Sequence, residues 1–383
     1  MMMSRPGVAR RPVILLALAA VLLLPGCSGR DESGAFPLLT GDYLGQTPPG
    51  VEAKLFAPGI VATGMNTRDI AMTPDGNELY FCVSIAGYSY AAILVSKRID
   101  GRWTEPQVAP FSGNPEWTDL EPFISPDGQR LYFFSTRPDG DEEPGDQDIW
   151  VMDREGGAWS EPRNLGSPVN TDAGEFFPTV TRDGTLYFTR SAAETGENAI
   201  WRARQVDGIF QEPERLGDNV NAGAARFNAA IAPDESYLII SIMGLEDSRG
   251  GADYYISFRD DDDQWTAPVN MGDQVNSTAT REWSPFISPD GKYFFFMSNR
   301  TAAEDGASPS SYRDLLIDQN VPGSGGVDIY WISADFIETL RPGAQGQVKG
   351  IEPARNPHAV LCAAVGRPFP LEGLDLFAEN VPT

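Results

Sequence analysis

One short phrase constrains this chain more than any other feature, because it returns five times at nearly even spacing. Thr73-Pro74-Asp75-Gly76 leads to Leu79-Tyr80-Phe81, and Ser125-Pro126-Asp127-Gly128 leads to Leu131-Tyr132-Phe133. Thr181-Arg182-Asp183-Gly184 leads to Leu186-Tyr187-Phe188. Ala232-Pro233-Asp234-Glu235 leads to Tyr237-Leu238-Ile239, and Ser288-Pro289-Asp290-Gly291 to Tyr293-Phe294-Phe295. The anchors Pro74, Pro126, Arg182, Pro233 and Pro289 are 52, 56, 51 and 56 residues apart. Pro presets φ, Asp bonds to nearby backbone and Gly accepts positive φ, so each phrase reads as a tight turn between two strands.

Each unit has further parts. A short β-rich segment precedes the turn, as in Pro122-Phe123-Ile124-Ser125. Downstream lies a strand that begins near an aspartate: Asp148-Ile149-Trp150-Val151, Asp253-Tyr254-Tyr255-Ile256 and Asp328-Ile329-Tyr330-Trp331. A Trp-x-x-Pro segment follows (Trp103 to Pro106, Trp159 to Pro162, Trp265 to Pro268), with Phe210 to Pro213 as its variant. That makes four strands, a to d, in each unit. Four-stranded units at this period predict an all-β propeller. Five turns imply five blades, but the outermost strand of the last one is missing after Trp331. Lys54-Leu55-Phe56-Ala57-Pro58 stands where Pro162 to Leu165 stands before blade 3. The N-terminal strand is therefore expected to complete the last blade and remove two open edges.

The Ser-Pro-Asp-Gly turn followed by Leu-Tyr-Phe resembles the WD40-like (TolB-like) β-propeller repeat family over about residues 52 to 340. The resemblance implies a propeller whose relatives often recognise peptides or partner proteins at the channel mouth. That family is often six-bladed, so six blades is the alternative. Residues 341 to 383 hold no further Pro-Asp-Gly turn, and they are expected to be a tail packed on or beside the propeller.

The first residues carry Arg5, Arg10 and Arg11 without an acid, and an apolar run spans Val13 to Leu24. This is the layout of a secretory signal, and the run is too short for an ordinary membrane span. Leu24-Pro25-Gly26-Cys27 resembles the bacterial lipobox. The resemblance implies a signal peptide at 1–26, acylation of Cys27 and a flexible tether at 27–51. Ser28 after the Cys points to the outer membrane, facing the periplasm.

The net charge is −25, and removing the three arginines of the leader would leave about −28. Such acidity argues against nucleic acid and anionic lipid headgroups as partners. It leaves a lipid anchor as the membrane contact and a monomer as the expected state. The lone His358 lies in the tail, which removes Ser-His-Asp chemistry and His-based zinc sites. Cys82 reads as a buried thiol, with a disulfide to Cys362 as the alternative in an oxidising compartment.

In a propeller, strand a runs down the channel. Its start, the d–a connections and the b–c loops share one face, the mouth. The b–c loops vary in length, up to Arg300–Gly325, and variable loops on a rigid scaffold are where function usually sits. Arg68, Asp69, Asp119, Glu121, Glu175, Arg226, Asn228, Arg281 and Glu282 are placed near that mouth as candidate ligand-binding residues. The other reading is that these charges pair with one another. Arg137, Arg190 and Arg300 follow strand b at one relative place and suggest blade-to-blade pairing. Trp103, Trp159 and Trp265 read as blade packing. No nucleophile–base set emerges, so the leading expectation is a non-catalytic binding or scaffold protein with a protein, peptide or glycan partner and no cofactor. A carboxylate enzyme acting on glycans is the alternative; acids each paired to arginine would count against it. Acidic crowding at Asp139, Asp141, Glu142, Glu143, Asp146 and Asp148, and at Asp260 to Asp263, lacks an EF-hand pattern, and no metal site is expected.

Overall fold

The computed structural model describes residues 36–140, 145–301, 311–312 and 321–343. The signal peptide, Cys27, Cys362, the acids Asp141, Glu142 and Glu143, and the tail beyond 343 lie outside the described residues. The chain divides into Met1–Leu340 and Arg341–Thr383, and the propeller belongs to the first unit.

Five antiparallel blades form the ring. Blade 1 uses Asn66–Met72, Glu78–Ile85, Tyr90–Ile99 and Gln107–Val108 as strands a to d. Blade 2 uses Asp119–Ile124, Arg130–Ser135, Asp148–Glu155 and Arg163–Asn164. Blade 3 uses Gly174–Val180, Leu186–Ser191, Asn198–Ala203 and Glu214–Arg215. Blade 4 uses Ala225–Ile231, Tyr237–Met243, Ala252–Phe258 and Val269–Asn270. Blade 5 uses Phe286–Ile287, Tyr293–Ser298 and Asp328–Ser333, and its fourth strand is Lys54–Leu55 from the N-terminal end. Lys54 pairs with Trp331 and Leu55 with Tyr330, so the expected latch is present.

The turn phrases act as the chemistry demands. Ser125 Oγ donates to Asp127 Oδ1 at 2.5 Å, and Asp127 Oδ1 also accepts the Gln129 N–H at 3.0 Å. Gly76, Gly128, Gly184 and Gly291 take positive φ; in blade 4, Glu235 carries that conformation without a glycine.

Strands b are apolar at consecutive positions because both their faces are buried. Leu131 and Phe133 pack with blade 1, whereas Tyr132 between them packs with blade 3. Leu186 and Phe188 face blade 2, and Tyr187 faces blade 4. The core is thus five inter-blade layers rather than one centre. Cys82 is a free thiol buried in the layer between blades 1 and 2.

Two expectations need adjustment. The Trp-x-x-Pro segment is not itself strand d. Trp103 and Trp159 pair with the end of strand c, the chain breaks at the proline, and strand d resumes beyond it at Gln107 and Arg163. Proline has no N–H for the ladder. The stretch read as a tether is packed from Leu39 onward. Tyr43 meets Tyr293 edge-on at 5.1 Å, Leu44 is fully buried, and Trp103 Nε1 donates to the Gly41 carbonyl at 2.7 Å. Burying these apolar side chains outweighs the flexibility expected from the Gly, Pro and Ser around them.

Candidate functional site

Strands a pack against one another and line the axis. Each one kinks once. The ladder shifts register after Arg68, Leu120, Phe176 and Phe227, and the next residue takes a left-handed φ. Those residues are Asp69, Glu121, Phe177 and Asn228, with Ser284 as the blade 5 equivalent. Each stands five residues before its blade's turn anchor, so the bulge is part of the repeat. A bulge re-aims side chains locally, and here it turns four polar ones toward each other.

The result is a closed network inside the channel. Arg68 Nε lies 2.8 Å from Asp69 Oδ2, and its Nη2 lies 2.5 Å from Glu121 Oε1. Ser284 Oγ donates to Asp69 Oδ1. Glu121 Oε2 accepts the Phe177 N–H at 2.8 Å, and Oε1 accepts Asn228 Nδ2 at 3.4 Å. Arg68 is the one cation in this network and it serves two buried carboxylates. Burial, with Asp69 close by, raises the Glu121 pKa above the usual carboxylate range despite Arg68.

The other acids are held separately, one in each of three blades. Glu175 accepts Arg190 Nε at 2.6 Å and Thr171 Oγ1 at 2.8 Å. Glu282 accepts Ser277 Oγ at 2.6 Å, Ser298 Oγ at 3.0 Å and Arg300 Nη2 at 2.8 Å. Asp119 accepts Ser135 Oγ and Arg137 Nη2, both at 2.6 Å. Burial pushes the Glu175 carboxyl up to about 7, and that of Glu282 upward as well. The same arginines donate to carbonyls of the preceding connection: Arg137 to Phe111, Arg190 to Val169 and Arg300 to Val275. These are clasps within a blade, not the blade-to-blade ion pairs expected. Nor do the arginines share one position. Arg137 and Arg300 lie two residues beyond the serine that ends strand b, whereas Arg190 lies inside strand b opposite Glu175.

Two of the clasps, those of Arg190 and Arg300, adjoin a motif the turn phrases overshadow. Gly166-Ser167-Pro168-Val169-Asn170, Gly217-Asp218-Asn219-Val220-Asn221 and Gly272-Asp273-Gln274-Val275-Asn276 recur in the d–a connections. Asn170, Asn221 and Asn276 each bond both the N–H and the carbonyl of one strand c residue: Ile149, Ile200 and Tyr254. The spacing was the signal that could have found them.

Of the remaining candidates, buried Arg226 pairs with exposed Glu197. The Arg281 guanidinium stands 6.0 Å from the Trp283 ring. Of the residues one place before the bulges, the sequence singled out Arg68 alone. Among them Phe176, Phe227 and Trp283 are half-buried, and Phe227 meets Trp283 edge-on at 5.4 Å. The mouth therefore presents aromatic surface and Arg281, while the candidate acids Asp69, Asp119, Glu121, Glu175 and Glu282 are buried. Among the described residues no group of His, Cys, Asp and Glu is arranged to hold a metal ion.

No protein-family model matches the chain, and no curated protein matches it. Among solved structures it is similar to TolB from Acinetobacter baumannii, with 17% identity, a TM-score of 0.41, and coverage of 70% of this chain and 57% of that one. The match thus spans a little over half of that TolB. It is also similar to the catalytic domain of a GH62 α-L-arabinofuranosidase from Coprinopsis cinerea, with 12% identity, a TM-score of 0.42, and coverage of 75% and 98%. A third likeness is to the periplasmic gluconolactonase PpgL of Pseudomonas aeruginosa, with 11% identity, a TM-score of 0.33, and coverage of 60% and 64%. The class defined by the fold is a five-bladed β-propeller. The functional reading rests on the chain's own residues.

Proposed function

We propose that this propeller is a non-catalytic binding protein of the bacterial cell envelope, anchored by lipid at Cys27, that receives a protein or peptide partner at the channel mouth. One observation carries the reading. Asp119, Glu175 and Glu282 are each spent on an arginine clasp, and Asp69 and Glu121 share Arg68. Hydrolysis of a glycoside needs two carboxylates free to face the scissile bond, and a clasped, buried acid is poorly placed for that. Half-buried aromatic side chains beside an arginine are the groups that dominate protein recognition surfaces.

The mature protein is used as bait on native envelope extract, beside a Phe227→Ala/Trp283→Ala variant and a control, Ile99→Ser, at an exposed residue on the opposite face. A partner retained by wild type and control but lost by the mouth variant is the expected result. Equal capture by all three moves the site away from the mouth. Mass spectrometry of the mature N-terminus checks the anchor separately: acylated Cys27 is expected, and an unmodified Cys27 overturns that part.

A further inference from the structure

Blade 3 departs from the repeat at two positions where the comparable segments agree. Four turns carry a proline (Pro74, Pro126, Pro233, Pro289), whereas blade 3 carries Arg182. Three outer segments carry a tryptophan (Trp103, Trp159, Trp265), whereas blade 3 carries Phe210. The fold brings both departures to one seam, between blades 2 and 3 on the turn face. Two cavities of about 330 and 220 Å³ lie there and share Arg130, Tyr132 and Gln205. Arg182 lines the first and Phe210 the second.

The other seams are filled. Between blades 1 and 2, Trp159 Nε1 donates to the Tyr80 hydroxyl at 2.8 Å. Between blades 3 and 4, Trp265 meets Tyr187 edge-on at 6.4 Å. Between blades 4 and 5, the 3₁₀ helix Ala334–Leu340 supplies Phe336 and Ile337. Between blades 5 and 1, Tyr43 and Leu44 join Trp103. At the open seam Phe210 is smaller than tryptophan and has no N–H to offer. The Tyr132 hydroxyl meets Arg130 Nη1 at 3.5 Å instead.

Charge follows the same pattern. At the first seam Arg154 grips Glu78 with two bonds of 2.9 and 3.0 Å. The residue of blade 2 that corresponds to Glu78, immediately before Leu-Tyr-Phe, is Arg130. The strand register makes Gln205 the blade 3 counterpart of Arg154. The seam has thus lost its carboxylate and kept a cation. Three acids, Asp127, Asp153 and Asp183, also line the first cavity, opposite Arg130, Arg154 and Arg182. Asp127 and Asp183 are held by their own turns, and Asp153 is shared between Arg130 and Arg163. Arg182 is exposed and makes no ion pair among the described residues. Beside these cations the second cavity is walled by Leu165, Val169 and Phe210, and Ile209 at its edge is 68% exposed.

We propose that this seam binds a carboxylate carrying an apolar group the size of one residue. The carboxylate sits between Arg130 and Arg182, taking the place of the acid that Glu78 supplies next door, and the apolar group lies against Phe210 and Ile209. A planar guanidinium favours a carboxylate over a neutral amide, and Ile209 gains by being covered.

The test is calorimetric titration of the mature protein with N-acetyl-leucine, N-acetyl-leucinamide and acetate. Saturable binding of N-acetyl-leucine, at least about tenfold tighter than either of the others, is expected. Phe210→Trp, which copies the filled seams, and Arg182→Ala should each weaken it about tenfold. Alanine is chosen because the Arg182 N–H donates to the Pro233 carbonyl at 2.8 Å and proline would lose that bond. Val51→Ser, at an exposed residue ahead of the strand that closes blade 5, should leave binding unchanged. Acetyl-Ala-Ala-Leu binding as well as N-acetyl-leucine supports the site with a peptide terminus as its ligand. Rejection of the tripeptide with N-acetyl-leucine retained supports it with a small free carboxylate. Equal affinity for acid and amide, or full affinity in both Phe210→Trp and Arg182→Ala, overturns the proposal.

Discussion

Arg68 Nη2 lies 2.5 Å from Glu121 Oε1, so a guanidinium from blade 1 holds a carboxylate from blade 2 inside the channel. The same guanidinium holds Asp69 of its own blade. Removing Arg68 would leave two buried acids without their cation. Arg68→Met is expected to destabilise the propeller by about 3–5 kcal/mol, read from chemical denaturation. A change under about 1 kcal/mol would mean that water reaches this network and solvates the acids.

The acids with raised pKa values set a direction for pH dependence. Glu121, Glu175 and Glu282 bind a proton more readily folded than unfolded. Stability falls with rising pH wherever the folded state holds more protons. Their effect is therefore a loss that begins above the unfolded carboxylate range and, for Glu175, is complete once pH passes about 7. Asp290 is opposite: its pKa is held down at about 2, and its contribution is lost only in strong acid. The melting temperature should be higher near pH 5.5 than at pH 8, and Glu121→Gln should flatten that slope. A melting temperature that rises from pH 5.5 to 8 contradicts the assignment.

The clasps can be tested as pairs. Arg190→Met leaves Glu175 buried without its cation, and a loss of about 3–5 kcal/mol is expected. Adding Glu175→Gln should recover much of it. If the two losses simply add in a double-mutant cycle, the clasp is not an energetic unit.

Phe56 anchors the latch. It is fully buried, with Phe295 at 5.1 Å and Trp331 at 5.2 Å, both edge-on. Phe56→Ala is expected to cost about 3–5 kcal/mol. Deleting the chain up to residue 58 should go further. It bares the edge of Asp328–Ser333, and an unpaired edge recruits other strands, so aggregation is expected in light scattering.

Cys82 should be silent in the native state. It is fully buried, and burial raises its thiol pKa well above the ordinary value. A thiol reagent is expected to label it only at the rate of global unfolding. Fast labelling at low denaturant would show that the seam between blades 1 and 2 opens locally.

The architecture was legible because turn chemistry is local. Pro-Asp-Gly fixes a hairpin within a few residues, and five hairpins in register fix the ring. The latch was legible for the same reason, since Lys54-Leu55 repeats a pattern already seen in other blades. The mouth was harder to read. The partners of its candidate residues depend on rotamers and on a bulge that no residue type announces. Asp69, Glu121, Phe177, Asn228 and Ser284 share a backbone conformation and no chemistry. Thr171 and Ser277, which complete two of the clasps, look like ordinary loop residues until the strand a acid is seen to reach them. The packing that begins at Leu39 was hidden by composition, since two side chains, Tyr43 and Leu44, outweigh the Gly and Pro around them.

The strand that closes the ring has one further consequence, for the order of events during folding. Lys54 is made before any blade, and its partner Trp331 is made after nearly all of them. A chain threaded N-terminus first must therefore keep its first strand waiting while five hairpins form behind it. Hairpins join close neighbours and form early, whereas a pairing between distant segments is slow. The last step is then a single docking event that converts an open arc into a ring. Cellular quality control would meet this protein as that arc, with two strand edges bare and each blade already complete in itself save the last.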